Sequence, residues 1–465
     1  MRHTASTTLT LQQTRDHNVT RQRWLLIGML MGYAALGHFN RVGITVAGDE
    51  VFIPLIKIPE TRMGWVYTAF LIVYTIGMLP GGWLIDRIGP GRALAIFGIT
   101  MGTFSILTGV IGWITLDPVG LWLGLLVIRG LGGVCNAPLH PGAARVVSDI
   151  MPSGQQATAN GMITAGALVG ISFCFPALGW LMDTFSWQSA FVVGGSLLLV
   201  YGIGWLVVAV PRLNAASAQA QHVATDTSDL PPGTRSVMPP TRPPFSVLVA
   251  NRTLWLLTLS YAAYGYFQYL FFYWLGYYFK EILDIPPQRA RWATTWIMLT
   301  MGLGMVVGGR LTDIASRRWG IVRGRRVVVI AGMGLGAVFG LAGVGSSWII
   351  ARFPVLGLEN EAFLMTSICL ALSMASAGMC EGVFWTTSTD IGGDAGGTAG
   401  AFMNTGGNIG GLIAPVLTPI VAEQFGWTIA IGLACVISAV GGLIWLLITP
   451  PTRRNAPTPA DVPAD

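Results

Sequence analysis

Two arginines stand where a long apolar sequence leaves them without water. Arg41 follows Asn40 inside WLLIGMLMGYAALGHFNRVGITVAGDE (24–50), and Arg129 lies inside LWLGLLVIRGLGGVCNAPLHP (121–141). Each stretch is long enough to cross a bilayer. A guanidinium near its middle costs roughly 2.5–3.5 kcal/mol on insertion scales, so it must face a polar cavity or a partner and not lipid. Few carboxylates lie at comparable depth to neutralise the pair, and together they suggest a cavity that receives an anion. A guanidinium offers a rigid fork of donors that matches a carboxylate, and the bond strengthens where the dielectric is low. The other reading makes each arginine a structural strut on backbone carbonyls or helix ends.

One carboxylate falls well inside an apolar stretch: Glu381, in MCEGVFWTTSTD (379–390). A buried glutamate is either a proton carrier or a permanent counter-ion for Arg41 or Arg129, and both readings stay open. His38 and His140 are the histidines inside apolar stretches; they either titrate or make a satisfied bond between helices. Trp385 with Thr386 and Ser388 offers an indole and hydroxyls suited to a polyol. Tyr261, Tyr264, Phe267, Tyr269 and Tyr273 form a further candidate lining, whereas Trp274, Tyr277 and Tyr278 beside Lys280 read as an interfacial belt.

The elements that must position these groups are membrane helices. The chain of 465 residues is 53% hydrophobic and 10% charged, which places it in a bilayer. Twelve spans are expected, near 24–50, 62–84, 92–113, 119–142, 157–182, 188–210, 252–279, 291–314, 326–348, 362–389, 397–422 and 428–449. Between the sixth and seventh, seven prolines and many small polar residues fill 211–244, which reads as a flexible tether. The expected organisation is a polar tail over 1–23, a six-helix bundle over 24–210, a linker over 211–248, a second bundle over 249–450 and a tail over 451–465. With the N-terminus in the cytoplasm, most of the 27 Lys and Arg fall on the inner side, so both termini are expected to be cytoplasmic. No small-residue cleavage site marks a signal peptide. The net charge of +6 is thereby assigned to topology and not to nucleic acid. The five cysteines lie in spans without a CxxC pair, and no metal or cofactor is expected.

The halves repeat. GGWLIDRIG (81–89) recurs as GGRLTDIAS (308–316), and the fifth span, through Gly161, Gly166, Gly170 and Pro176, resembles the eleventh, through Gly400, Gly406, Gly410 and Pro415. Parallel duplication of this kind suggests a transporter with its site at the pseudo-symmetric interface near mid-membrane. In the loop segments Asp86 with Arg87 and Arg92, and Asp313 in the second copy, are expected to latch neighbouring helix ends in one conformation, the alternative being a solvated charge cluster. Small-xxx-small pairs such as Gly166 with Gly170 and Gly406 with Gly410 serve either sliding or static packing.

GGWLIDRIGPGR followed by a buried arginine in the fourth span resembles the signature of the major facilitator superfamily. FNRVGITVAG, FLIVYTIGMLPGGWLIDRIG, RGLGGVCNAPLHPGAARVV and GAFMNTGGNIGGLIAP resemble, more narrowly, its anion:cation symporter family, which includes bacterial sugar-acid transporters and the animal sialic acid and vesicular glutamate carriers. The likeness covers about 24–449. It implies an all-α fold of two six-helix bundles, anion recognition by Arg41 and Arg129, and substrate contacts at Tyr74 and Asn404. The sequence departs from that pattern where proton-coupled members carry acids: Asn40 precedes Arg41, and Asn136 follows Arg129 by seven residues. An amide can bond a substrate hydroxyl but takes up no proton. Pro90 and Gly91 also stand where a basic residue is common.

The expectation is a monomeric carrier in the cell inner membrane, without catalytic residues, that moves a small organic anion such as a hexuronate or aldonate by alternating access. Its substrate contacts are Arg41, Arg129, Tyr74, Asn40, Asn136, Asn404 and Trp385, and its proton-coupling candidates are Glu381, His38 and His140. Uncoupled uniport or exchange, and efflux of drug-like compounds, are the rival transport readings. A sensor or membrane enzyme is disfavoured: there is no HExxH and no GxSxG.

Overall fold

A computed structural model of the protein describes residues 2–115, 117–216, 245–346 and 361–449. The central part of the expected linker and the C-terminal tail lie outside them. In the first half α1 is Arg2–Ala47, α2 Glu60–Ile88, α3 Pro90–Ile114, α4 Pro118–Asn136, α5 Leu139–Ile150, α6 Gln156–Thr184 and α7 Trp187–Gly204. In the second, α8 is Phe245–Ala250, α9 Arg252–Tyr277, α10 Pro287–Trp319, α11 Ile321–Val344, α12 Glu361–Gly378, α13 Glu381–Gly392, α14 Gly396–Phe425 and α15 Trp427–Leu443. Residues 2–23, expected as a polar tail, continue α1 as helix; neither Gly nor Pro interrupts them.

Among the described residues nine helical stretches are long and apolar enough to cross a membrane, one of them the double run Ala362–Phe425. With α1 and the aromatic-rich α9 they make twelve spans, the fourth and tenth each broken into two helices. The break after Asn136 falls at Ala137-Pro138, where a proline cannot continue the preceding hydrogen-bond ladder. The matching break, at Met379-Cys380, puts Glu381 at the head of α13. Broken helices at corresponding places in two halves are where transporters place their sites.

The halves are built alike. α1 packs on α6, α2 on α4 and α3 on α7; correspondingly α9 packs on α14, α10 on α12 and α11 on α15. Gly166 and Gly170 seat α6 against the carbonyls of Met31 and Ala35, and Gly406 and Gly410 seat α14 against those of Thr258 and Ala262. These pairs therefore pack helices inside each half. The turns that carry the repeated loop segments each need a left-handed residue, Gly89 at φ 87° and Gly320 at φ 84°.

At the end of the bundle that holds those turns, here the motif end, the halves meet closely. α14 packs on α2, α10 on α6, and α13 on both α5 and α6. A Cβ at Gly309 would fall 2.4 Å from the Ala157 carbonyl oxygen, and one at Gly161 would fall 2.2 Å from that of Met305. Backbone approaches this tight require glycine. No such packing joins α1 to α9 among the described residues.

Candidate functional site

The azimuth of Arg129 follows from α4 itself. Leu123, Val127, Leu131 and Val134 form its outward stripe, whereas Leu121, Leu125, Arg129, Gly132, Gly133 and Asn136 are buried. Arg129 turns onto α1: its Nη2 donates to the Arg41 carbonyl oxygen at 2.6 Å and its Nη1 to that of Asn40 at 3.3 Å. Of the two readings given for Arg129, this geometry is the strut. Two of its N–H donors meet peptide oxygens of α1, while its Nε is buried without a partner among the described residues.

Arg41 differs. It is half-buried, and its Cζ lies 4.9 Å from the Tyr74 ring and 5.5 Å from the Phe70 ring. Phe70 is shared, with the Arg129 Cζ 5.0 Å from its centroid. Tyr269, from the opposite half, stands beside the Arg41 guanidinium. Among the described residues no carboxylate pairs with either arginine. Arg41 is thus an uncompensated cation at the seam between the halves, held in place by aromatic faces, which attract a guanidinium by about 0.5–2 kcal/mol each.

The neighbouring amides part company. Asn40 Nδ2 donates to the carbonyl oxygens of Leu36 at 3.0 Å and Gly194 at 3.1 Å, and its Oδ1 accepts from Ser105 at 2.6 Å. Its amide thus bonds the preceding turn of α1 and ties that helix to α3 and α7. Asn136 is also buried, but its Oδ1 has no partner among the described residues. Across the seam Asn404 Nδ2 lies 3.4 Å from the Tyr74 hydroxyl and 3.3 Å from Met78 Sδ.

The two histidines touch. His38 Nδ1 faces the Ala34 carbonyl oxygen at 3.0 Å, so that nitrogen carries the hydrogen, and Nε2 is left to accept from His140 Nε2 at 3.4 Å. His140 also stacks on Trp385 of the second half, with centroids 5.6 Å apart at 23°. Trp385 Nε1 donates to Glu381 Oε1 at 2.8 Å, and the Tyr261 hydroxyl donates to the same oxygen at 2.8 Å. Oε2 is buried without a partner, as is the hydroxyl of the adjacent Tyr264. Glu381 meets no cation among the described residues, so it is not the counter-ion of either arginine in this arrangement.

At the motif end the loop carboxylates cap helices of the opposite half. Asp86 accepts from Gly397 N at 3.0 Å, Thr398 N at 2.7 Å and the Thr398 hydroxyl at 2.6 Å. Asp313 accepts from Ala157 N at 3.3 Å, Thr158 N at 2.9 Å and the Thr158 hydroxyl at 2.5 Å. Neither α14 nor α6 has a side-chain cap of its own, so their free first-turn N–H groups and positive dipole ends meet a carboxylate from across the seam. Arg145 donates to the Gly393 carbonyl and Arg317 to that of Gly154, at 2.7 Å, completing the crossing. Arg87 instead lies over its own helix's Trp83, 4.8 Å from the ring, and Arg92 is exposed in a hollow with Asp149 and Asn214; neither crosses.

Sequence reading missed Thr158 and Thr398, although they stand at matching places in the repeated fifth and eleventh spans, and missed Ser105 and Phe70, for which no pattern gave a signal. It also missed the pair of buried Arg325 with half-buried Asp390, at 2.6 Å, to which Thr387 adds a bond at 3.2 Å.

The family model of the Major Facilitator Superfamily matches residues 22–395 and 277–464, and the chain belongs to that superfamily of membrane transporters. It is a multi-pass carrier of a small molecule and not an enzyme. Its relatives include a probable galactarate/D-glucarate transporter of Bacillus subtilis, 28% identical over 74% of this chain and 77% of the relative. A D-galactonate transporter of Escherichia coli O6:H1 is 27% identical over 78% and 85%, and a probable sulfoacetate transporter of Cupriavidus necator 24% over 80% and 81%. The fold is similar to that of the proton:xylose symporter XylE bound to 6-bromo-6-deoxy-D-glucose, with TM-score 0.67 and 13% identity over 92% of this chain and 96% of that one.

Proposed function

We propose that the protein carries a sugar monocarboxylate, an aldonate or hexuronate, across the cell inner membrane by alternating access, coupled to protons. The single supporting observation is Arg41: a seam cation without a carboxylate, between Tyr74 of one half and Tyr269 of the other. The relatives named for galactarate, galactonate and sulfoacetate transport all handle organic anions. One free guanidinium suits one carboxylate, while Asn136 and Asn404 suit the hydroxyl-bearing chain. Seating the anion removes the uncompensated charge and lowers the barrier to rocking.

The excess of basic residues on the loops of the motif end supports a cytoplasmic position for that end, for the 211–248 linker and for both termini. The arrangement described is then the one closed to the cytoplasm, with Asp86 and Asp313 as its latches. The carrier works as a monomer, its two halves supplying the whole site. Uncoupled exchange is the second reading, favoured by the amides at Asn40 and Asn136. Uptake of D-galactonate, D-glucuronate and galactarate into liposomes, with and without an inward pH gradient, tests both. Saturable uptake of a monoacid that Arg41→Ala abolishes supports the proposal; uptake indifferent to Arg41 removes it.

A further inference from the structure

Glu381 is a carboxyl group without a cation, 5% exposed, at the broken point of the tenth span. Both of its hydrogen-bond donors, the Tyr261 hydroxyl and the Trp385 indole, go to Oε1. Oε2 receives none and lies by Tyr264, whose hydroxyl is equally unpartnered. An ionised carboxylate would hold its charge without any cation among the described residues, in an apolar enclosure of Phe384, Tyr261 and Tyr264. A carboxylic acid, being uncharged, fits the same enclosure: Oε1 is its carbonyl, accepting twice, and the neighbouring Tyr264 oxygen is an acceptor open to Oε2–H.

The enclosure is shut from the other half. Trp385, which bonds Glu381, stacks on His140, and the next residue, Thr386, accepts a bond from Asn160 Nδ2 at 3.0 Å. Both contacts cross the seam at the motif end, so α13 is held against α5 and α6 only while that end is closed. Parting the halves there must break the stack and the Asn160 bond, which frees Trp385 from its platform.

We propose that Glu381 holds a proton while the motif end is closed and surrenders it when separation of His140 from Trp385 admits water, so that the coupling proton rides on the second half and not at Asn40 or Asn136. The step is a plain ionisation: the Oε2–H bond breaks, the electron pair stays on the carboxylate, and the proton passes to entering water. It rests on the carrier reading above and names its coupling group. The ionisable groups around Glu381 are Tyr261 and Tyr264 from α9, Cys380 before it, and His140 of α5 behind the Trp385 ring. Arg325 of α11 is engaged further along α13 by Asp390 and Thr387. α6, α10 and α14 bring no ionisable side chain into bonding contact with it among the described residues.

The test has two arms. Infrared difference spectroscopy of the full-length carrier in nanodiscs, without substrate at neutral pH, should show a carboxylic-acid carbonyl band that Glu381→Gln removes. The double variant Asp86→Asn, Asp313→Asn, which opens the motif end, should diminish it. In liposomes with D-galactonate, Glu381→Gln should keep counterflow exchange and lose accumulation driven by a pH gradient, while Trp385→Phe, lacking the indole donor, should shift the pH midpoint of efflux. Absence of the band, or gradient-driven accumulation by Glu381→Gln equal to wild type, overturns the proposal. So does wild-type accumulation that ignores the gradient, or a coupling defect in His38→Gln or His140→Gln that Glu381→Gln lacks. A band that behaves as stated in a protein that transports none of the three acids upholds the proton site and removes the anion reading.

Discussion

Arg129 donates from Nη2 to the carbonyl oxygen of Arg41 at 2.6 Å, so one buried cation fixes the backbone that presents the other. The two arginines do separate jobs. Arg129 satisfies backbone acceptors on α1, and Arg41 is left facing the seam.

Substitution therefore splits them. Arg41→Ala removes the anion's partner and should abolish monoacid uptake while the thermal midpoint changes little, with Arg41→Lys retaining weak activity. Arg129→Ala removes two charge-assisted bonds to peptide oxygens of α1, a loss of about 1–3 kcal/mol, and Arg129→Lys does not repair it because an ammonium cannot span both oxygens. Thermal unfolding in detergent alongside liposome uptake checks both; equal melting losses at the two positions contradict this division.

Removing one latch should favour opening of the motif end. Asp86→Asn keeps an acceptor but loses the charge opposite the α14 N-terminus, and Asp313→Asn does the same at α6. Each should cost about 1–2 kcal/mol of the closed arrangement, a shift of roughly 5–30-fold in the equilibrium. Spin-label distances between the motif-end tips of α2 and α14 report it. An unchanged distribution in the double variant rules out a latch.

Restoring an acid at position 40 should not restore coupling there. Asn40 Nδ2 lies against two carbonyl oxygens, and Asn40→Asp would set a carboxylate oxygen against both. The variant should lose about 1–3 kcal/mol of stability with no gain in gradient-driven uptake. Ser105→Ala, which leaves the Asn40 Oδ1 bare, should lose stability in the same range. A stable, more strongly coupled Asn40→Asp protein contradicts the tie assigned to Asn40.

Charge count should set selectivity. A monoacid answers Arg41, whereas the second carboxylate of a diacid finds no further free cation among the described residues of the seam. D-galactonate at about a hundred times its dissociation constant should raise stability by roughly 2.7 kcal/mol, and galactarate at the same concentration by clearly less. Equal shifts argue for a second cation beyond those of the described residues.

Much of this was legible beforehand. Apolar run lengths gave the spans, the GGWLIDRIG repeat gave the two halves, and depth alone marked Arg41, Arg129 and Glu381 as groups that must be explained. Depth does not give azimuth. Asn40 and Arg41 are neighbours on a helix, about 100° apart around its axis, so both could not point into one cavity, yet the sequence does not say which one does. Arg129 illustrates the same gap: its neighbours in the sequence show an inward face, but the peptide oxygens that occupy it belong to α1. The partners of Asp86 and Asp313 lie 312 and 155 residues away, beyond the reach of any local pattern.

The crossed caps imply a symmetry. Each half contributes one carboxylate and one threonine-bearing helix start, and each is completed only by its counterpart, the reciprocity that a two-fold axis between identical copies generates. Two identical six-helix units related by such an axis would make this contact twice from one carboxylate and one threonine. The interiors differ, Arg41 on one side and Glu381 on the other, while the fastening at the motif end is the same for both halves.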